Sequence, residues 1–100
     1  MTDVFALNRR SFERKQSGLE ARVVVGDANT RCTIEDISPG GAQIVAPLDL
    51  SLGRRLMLTI QPFGEFNAVV AWCRRGKLGI KFDEDPQVMA EVVMSIAMHG

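Results

Sequence analysis

Two short clusters hold the residue types best suited to grip a charged, planar ligand. One is Arg9-Arg10-Ser11-Phe12-Glu13-Arg14, the other Asp36-Ile37-Ser38-Pro39-Gly40-Gly41. Arg10 and Arg14, four apart, supply two guanidinium forks that take phosphate bidentately or lie flat on a base. Asp36 accepts paired N–H bonds of the kind a guanine edge offers, and Ser38 adds a small donor and acceptor. Gly40 and Gly41 allow a ligand to approach the backbone. Cationic forks, one carboxylate at a buried edge and a glycine turn together describe a guanine nucleotide site. Arg9 adds a third planar cation, able to stack on a second guanine or bond its O6 and N7 edge, which predicts a stacked pair of ligands. Taken singly, the clusters have plainer meanings: a solvated basic tail, and an ordinary turn rich in Asp, Ser, Pro and Gly. The turn reading is compatible with the site, since the same turn would hold it.

Other chemistry finds little support. The one histidine, His99, is the penultimate residue and lies outside any motif, so no nucleophile has a base beside it. The cysteines, Cys32 and Cys73, sit singly in apolar stretches, whereas structural zinc needs about four such ligands. Both read as buried, reduced thiols of a cytosolic protein. Asp83, Glu84 and Asp85 precede a helical pattern, where favourable interaction with the helix dipole explains them. The sequence predicts no enzyme, no metal and no cofactor.

The elements that must position the clusters follow from period and punctuation. One hundred residues suit one domain with a single core, and a surface groove edged by loops suits it better than a deep chamber. Residues 1–18 show no sustained apolar period and read as a flexible arm carrying the arginines; residues 19–100 read as the folded body. Strands are expected at Leu19–Val25, Thr30–Ile37, Ala42–Ala46, Arg54–Gln61, Glu65–Arg75 and Leu78–Phe82. In the fifth, Phe66, Ala68, Val70 and Trp72 alternate as one inward face, which makes Trp72 a core residue. Arg74, Arg75 and Lys77 read as a charged hairpin end. After Pro86 the period changes to helical, with Val88 or Met89, Val92 or Val93, and Ile96 recurring at helical spacing and Met94 and Met98 beside them. The expected fold is mainly β: a six-stranded antiparallel barrel, closed so that no edges are exposed, with a C-terminal helix and an N-terminal arm.

Charge narrows the ligand further. Twelve Lys and Arg balance twelve Asp and Glu, but the front of the chain is locally basic and the end acidic. A basic arm on a neutral protein fits a small anion better than a nucleic acid polymer. The longest apolar run, Ala68–Cys73, is far short of the ~20 residues of a membrane span, and the first residues lack a signal peptide's pattern. A cytoplasmic protein is expected.

The order Arg10-x-x-x-Arg14, then Asp36-x-Ser38-x-x-Gly41, resembles the two-part signature of the PilZ domain family. Each half is weak alone; in this order, on a barrel-like pattern, they are strong together. Trp72 and Gly79-Ile80-Lys81-Phe82 also look like the end of the barrel in that family, so the resemblance runs from Arg9 nearly to the last residue. It implies a bacterial receptor for cyclic di-GMP in which an arginine arm closes over ligand held against the barrel. It further implies an adaptor that regulates a protein partner, with motility or exopolysaccharide control as the output. Two other readings stand beside it. One is an interaction module acting by protein contacts alone, which the intact motifs disfavour. The other is a small RNA-binding barrel, disfavoured by neutral charge and only six aromatic residues.

Overall fold

The computed structural model describes residues 19–99. The arginine cluster Arg9, Arg10 and Arg14, and the arm to which it was assigned, lie outside the described residues. Six strands form one closed antiparallel barrel: β1 (Leu19–Val25), β2 (Ala28–Ile37), β3 (Gly41–Val45), β4 (Arg55–Ile60), β5 (Gly64–Arg74) and β6 (Lys77–Phe82). One helix follows, α1 (Pro86–His99). Around the barrel the strands run β1-β2-β3-β6-β5-β4, so β3 neighbours β6 and β4 returns to β1. The expected closed six-stranded antiparallel barrel with a C-terminal helix is the one observed, and strand limits differ from the sequence reading by a residue or two. Gly26-Asp27 alone makes the first turn, so β2 begins at Ala28, two residues early.

Alternation builds the core. Val23 of β1, Ile44 of β3, Leu58 and Ile60 of β4, Ala68 of β5 and Leu78 of β6 are fully enclosed, while their sequence neighbours face out. Phe66 and Phe82 meet edge to face with ring centroids 6.4 Å apart. Met89 of α1 is also fully buried, and Val92 and Ile96 pack beside it against the core. These three share one helical face; Val88, Met94 and Met98 are exposed.

The acidic run before α1 divides its roles. Only Asp85 caps the helix, its Oδ1 accepting the Gln87 N–H at 2.8 Å ahead of Pro86 in the first turn. Asp83 accepts both Nη groups of Arg55, at 3.1 and 3.2 Å. Glu84 accepts the backbone N–H and the side-chain amide of Asn67 at 2.7 and 3.1 Å. Two of the three acids therefore tie the β6–α1 junction to β4 and β5, and helix-dipole compensation does not account for them.

The cysteines are not alike. Cys32 is buried, and desolvation pushes its thiol up to about 11, with the Arg22 guanidinium acting weakly in the other direction. Cys73 is only partly buried, against the expectation, with Sγ 3.6 Å from Asp49 Oδ1 and 3.9 Å from the Leu48 carbonyl. The thiolate is the reactive form, so raising the thiol's pKa lowers reactivity at neutral pH. Iodoacetamide at pH 8 is expected to modify Cys73 first and to leave Cys32 at least tenfold slower until the protein is unfolded. Mass spectrometry of timed samples checks this; equal rates in the folded protein would contradict it.

Candidate functional site

A strand's side chains alternate, so one extra residue sends every later side chain to the opposite face. This happens twice, on β2 and β5. On β2, Cys32 and Ile34 point inward, and simple alternation would bury Asp36 as well. The pairing with β3 instead shifts between Ile34 and Asp36, leaving Glu35 as the extra residue. Asp36 is thereby turned to the outer surface, and Ile37 packs against the core in its place. The carboxylate expected at a buried edge is exposed before any ligand arrives.

On β5 the shift falls between Val70 and Trp72, with Ala71 as the extra residue. Phe66, Ala68 and Val70 are in the core, but Trp72 is not; Cys73 takes the inward position. The sequence reading of Trp72 as a core residue is therefore overturned, and the cause is the bulge, which the alternating pattern hides. The half-buried indole lies against Gly79 on the outer wall, where Trp72 Nε1 occupies the space a Cβ at residue 79 would need. Arg74, read as part of a charged hairpin end, places its guanidinium carbon 5.5 Å from the centre of the indole.

The two bulges bring these side chains into one row. Asp36 pairs with Gln43, Gln43 with Gly79, and Gly79 with Trp72, across β2, β3, β6 and β5. At a strand spacing of ~4.8 Å the row is about 14 Å long. A groove of about 290 Å³ opens over it, and its lining includes Asp36, Ser38, Gly41, Gln43, Trp72 and Gly79.

The turn between β2 and β3 closes the end of the groove. Ser38 and Gly41 exchange backbone hydrogen bonds, Ser38 N to Gly41 O at 2.8 Å and Gly41 N to Ser38 O at 3.2 Å. The Ser38 hydroxyl lies 3.4 Å from the same Gly41 carbonyl and is exposed. Gly41 is required by close approach: a Cβ there would fall on the Ile80 carbonyl oxygen of β6. Gly40 differs. It is exposed, has open space around its missing Cβ, and does not line the groove; its carbonyl accepts the Phe82 N–H at 2.9 Å. Of the four residues singled out in this cluster, Asp36, Ser38 and Gly41 come together at the groove and Gly40 stands outside it.

Leu19, the first residue of β1, pairs with Ile34, and Asp36 lies two positions further along β2. Among the described residues, no group of three or more His, Cys, Asp or Glu is placed to hold a metal. No helix among them is long and apolar enough to cross a membrane.

The family model of the PilZ domain matches residues 8–96, which span both clusters. The chain belongs to the PilZ domain family. Solved PilZ structures share its fold. The PilZ domain of CeSA from a cellulose-synthesizing bacterium superposes with a TM-score of 0.63 at 18% identity, covering 83% of this chain and 92% of that one. PlzA of Borreliella burgdorferi, solved in complex with c-di-GMP, gives a TM-score of 0.60 at 20% identity over 85% of this chain. This chain spans only 36% of PlzA. No curated protein matches the sequence. Within the PilZ frame, Trp72, Gly79 and Gln43 line the groove though the two-part motif does not contain them, and Arg74 lies over the Trp72 ring. Trp72 and Gly79 were visible in the sequence as an aromatic and a glycine near the end of the barrel; Gln43 gave no signal.

Proposed function

We propose that this PilZ domain is a receptor for cyclic di-GMP that binds the dinucleotide in the groove over Asp36, Gln43, Gly79 and Trp72. The observation that carries the reading is the juxtaposition made by the bulge in β2: an outward carboxylate, an exposed hydroxyl and a glycine turn beside the point where the arginine-bearing segment joins the barrel. The Asp36 carboxylate has no hydrogen-bond or ion-pair partner among the described residues. It is available to accept guanine N–H donors, with Ser38 beside it. Trp72 offers a ring face at the far end of the row, and Arg10 and Arg14 supply the cations for the phosphates. Arg9, next to them, supports a second stacked ligand and a stoichiometry near two per chain. Among the described residues lining the groove, no nucleophile is paired with a base, which favours binding without turnover.

The proposed output is regulation of a protein partner in the cytoplasm. The arm, drawn over the ligand, changes the surface a partner meets; motility or exopolysaccharide synthesis is the process this would control. The reading by which the domain acts through protein contacts alone has no observation in its favour that the groove does not explain equally well.

Guanine recognition has a direct consequence. Adenine presents an acceptor where guanine presents N1–H, so the carboxylate that welcomes one base repels the other. The protein is expected to bind cyclic di-GMP well over tenfold more tightly than cyclic di-AMP, and Asp36→Ala is expected to reduce that preference severalfold or more. Competition binding with the two dinucleotides checks both. Equal affinities in the wild type would refute the assignment of Asp36.

A further inference from the structure

Gln43 stands in the middle of the row, half-buried on the groove floor, and its amide is not free to turn. Its Nε2 donates to Glu35 Oε1 at 2.9 Å, and Lys77 Nζ lies 3.3 Å from the same oxygen. An ionised carboxylate only accepts hydrogen bonds. The NH2 of Gln43 must therefore face Glu35, which leaves its carbonyl oxygen on the other side of the amide. That oxygen accepts no hydrogen bond from the described residues. Gln43 and Asp36 are direct cross-strand partners, so their Cβ atoms are about 5 Å apart. Two acceptors consequently face one opening. The bulge that turns Asp36 outward also leaves Glu35 without a partner on β3, and its side chain lies against Gln43.

We propose that Gln43 is a second base-reading residue, whose carbonyl accepts the 2-amino group of a guanine held on Asp36, with Glu35 and Lys77 as its positioning residues. The proposal rests on the cyclic di-GMP reading above. Guanine's pairing edge carries N1–H and two N2–H donors. A carboxylate takes N1–H and one N2–H in parallel, and the second N2–H then needs another acceptor. Gln43 supplies it from the adjacent strand. Hypoxanthine keeps N1–H and lacks the 2-amino group, so a ligand built on it retains the first contact to Asp36 and loses the contact to Gln43.

The test is calorimetric titration with cyclic di-GMP and its inosine analogue, cyclic di-IMP, against the wild type, Gln43→Leu, Gln43→Met and Glu35→Ala. A neutral hydrogen bond has a net effect of about 1 kcal/mol, or roughly fivefold in affinity. Gln43→Leu and Gln43→Met are expected to weaken cyclic di-GMP by about fivefold and leave cyclic di-IMP unchanged, so the preference between them falls by the same factor. Glu35→Ala releases the amide to rotate and is expected to lower the preference by a smaller factor in the same direction, without weakening cyclic di-IMP. Two glutamine variants guard against one of them misfolding, and matching melting curves verify the fold. A preference unchanged in both glutamine variants, with wild-type binding intact, would overturn the role of Gln43 and leave the receptor reading standing. A wild type that binds neither dinucleotide would overturn both.

Discussion

Arg10→Ala and Arg14→Ala are each expected to weaken cyclic di-GMP binding by roughly ten- to a hundredfold while leaving the barrel's melting temperature unchanged. The size follows from the bond type. A charge-assisted hydrogen bond to phosphate contributes about 1.5–3 kcal/mol, and a tenfold change corresponds to about 1.4 kcal/mol. The reach is sufficient. Arg14 is five residues before Leu19, and an extended chain covers up to ~3.3–3.6 Å per residue, so its backbone can lie up to about 17 Å from Leu19. Asp36 is two strand residues beyond the Leu19 partner Ile34, about 7 Å away. The unchanged melting temperature is expected because the closed barrel and the buried cluster inside it are built by strands within 19–99. Calorimetry with parallel melts decides the matter; variants that bind within twofold of the wild type would show that the phosphates are held elsewhere.

Gly41→Ala is expected to be among the most destabilising single substitutions available, and Gly40→Ala, one residue away, to be nearly silent. At Gly41 the new methyl would fall on the Ile80 carbonyl oxygen, a backbone atom that no change of rotamer can move. Relief requires β3 and β6 to separate where Gly41 pairs with Lys81, and the Ser38–Gly41 turn to deform with them. Overpacking of this kind costs roughly 3 kcal/mol, which lowers the melting temperature of a domain this size by about 10 °C or more. Cyclic di-GMP binding should fall with it, because the turn carries Ser38. At Gly40 a methyl meets open space, and the expected change is within about 0.5 kcal/mol. Thermal melts of the two variants side by side check the contrast. Equal destabilisation would mean that the motif glycine acts through backbone freedom and not through close approach.

Much of the fold could be read from period alone. Leu56, Leu58 and Ile60 alternate cleanly and are the inward face of β4, and the helical period after Pro86 marks α1, while packing decides for Met89 over Val88 and for Val92 over Val93. The sites at which alternation misleads are the two bulges. Nothing in Cys32-x-Ile34-x-Asp36 or Val70-x-Trp72 announces an extra residue, because a bulge is a property of the pairing and not of one strand's pattern. Alternation places Trp72 in the core for that reason, and Gln43 carries no sequence signal because its importance depends on the register of three neighbouring strands. Motif spacing identified Asp36, Ser38 and Gly41, since a turn is local. It could not separate Gly40 from Gly41, because the difference lies in a contact with β6, some forty residues later in the chain.

Calorimetric titration of the purified protein with cyclic di-GMP tests the central claim most directly. The account predicts saturable binding at micromolar or lower concentration, a stoichiometry near two, and loss of most of the affinity in Arg10→Ala. No measurable heat and no saturation at hundreds of micromolar dinucleotide, in a preparation whose melting curve shows a folded barrel, would contradict it.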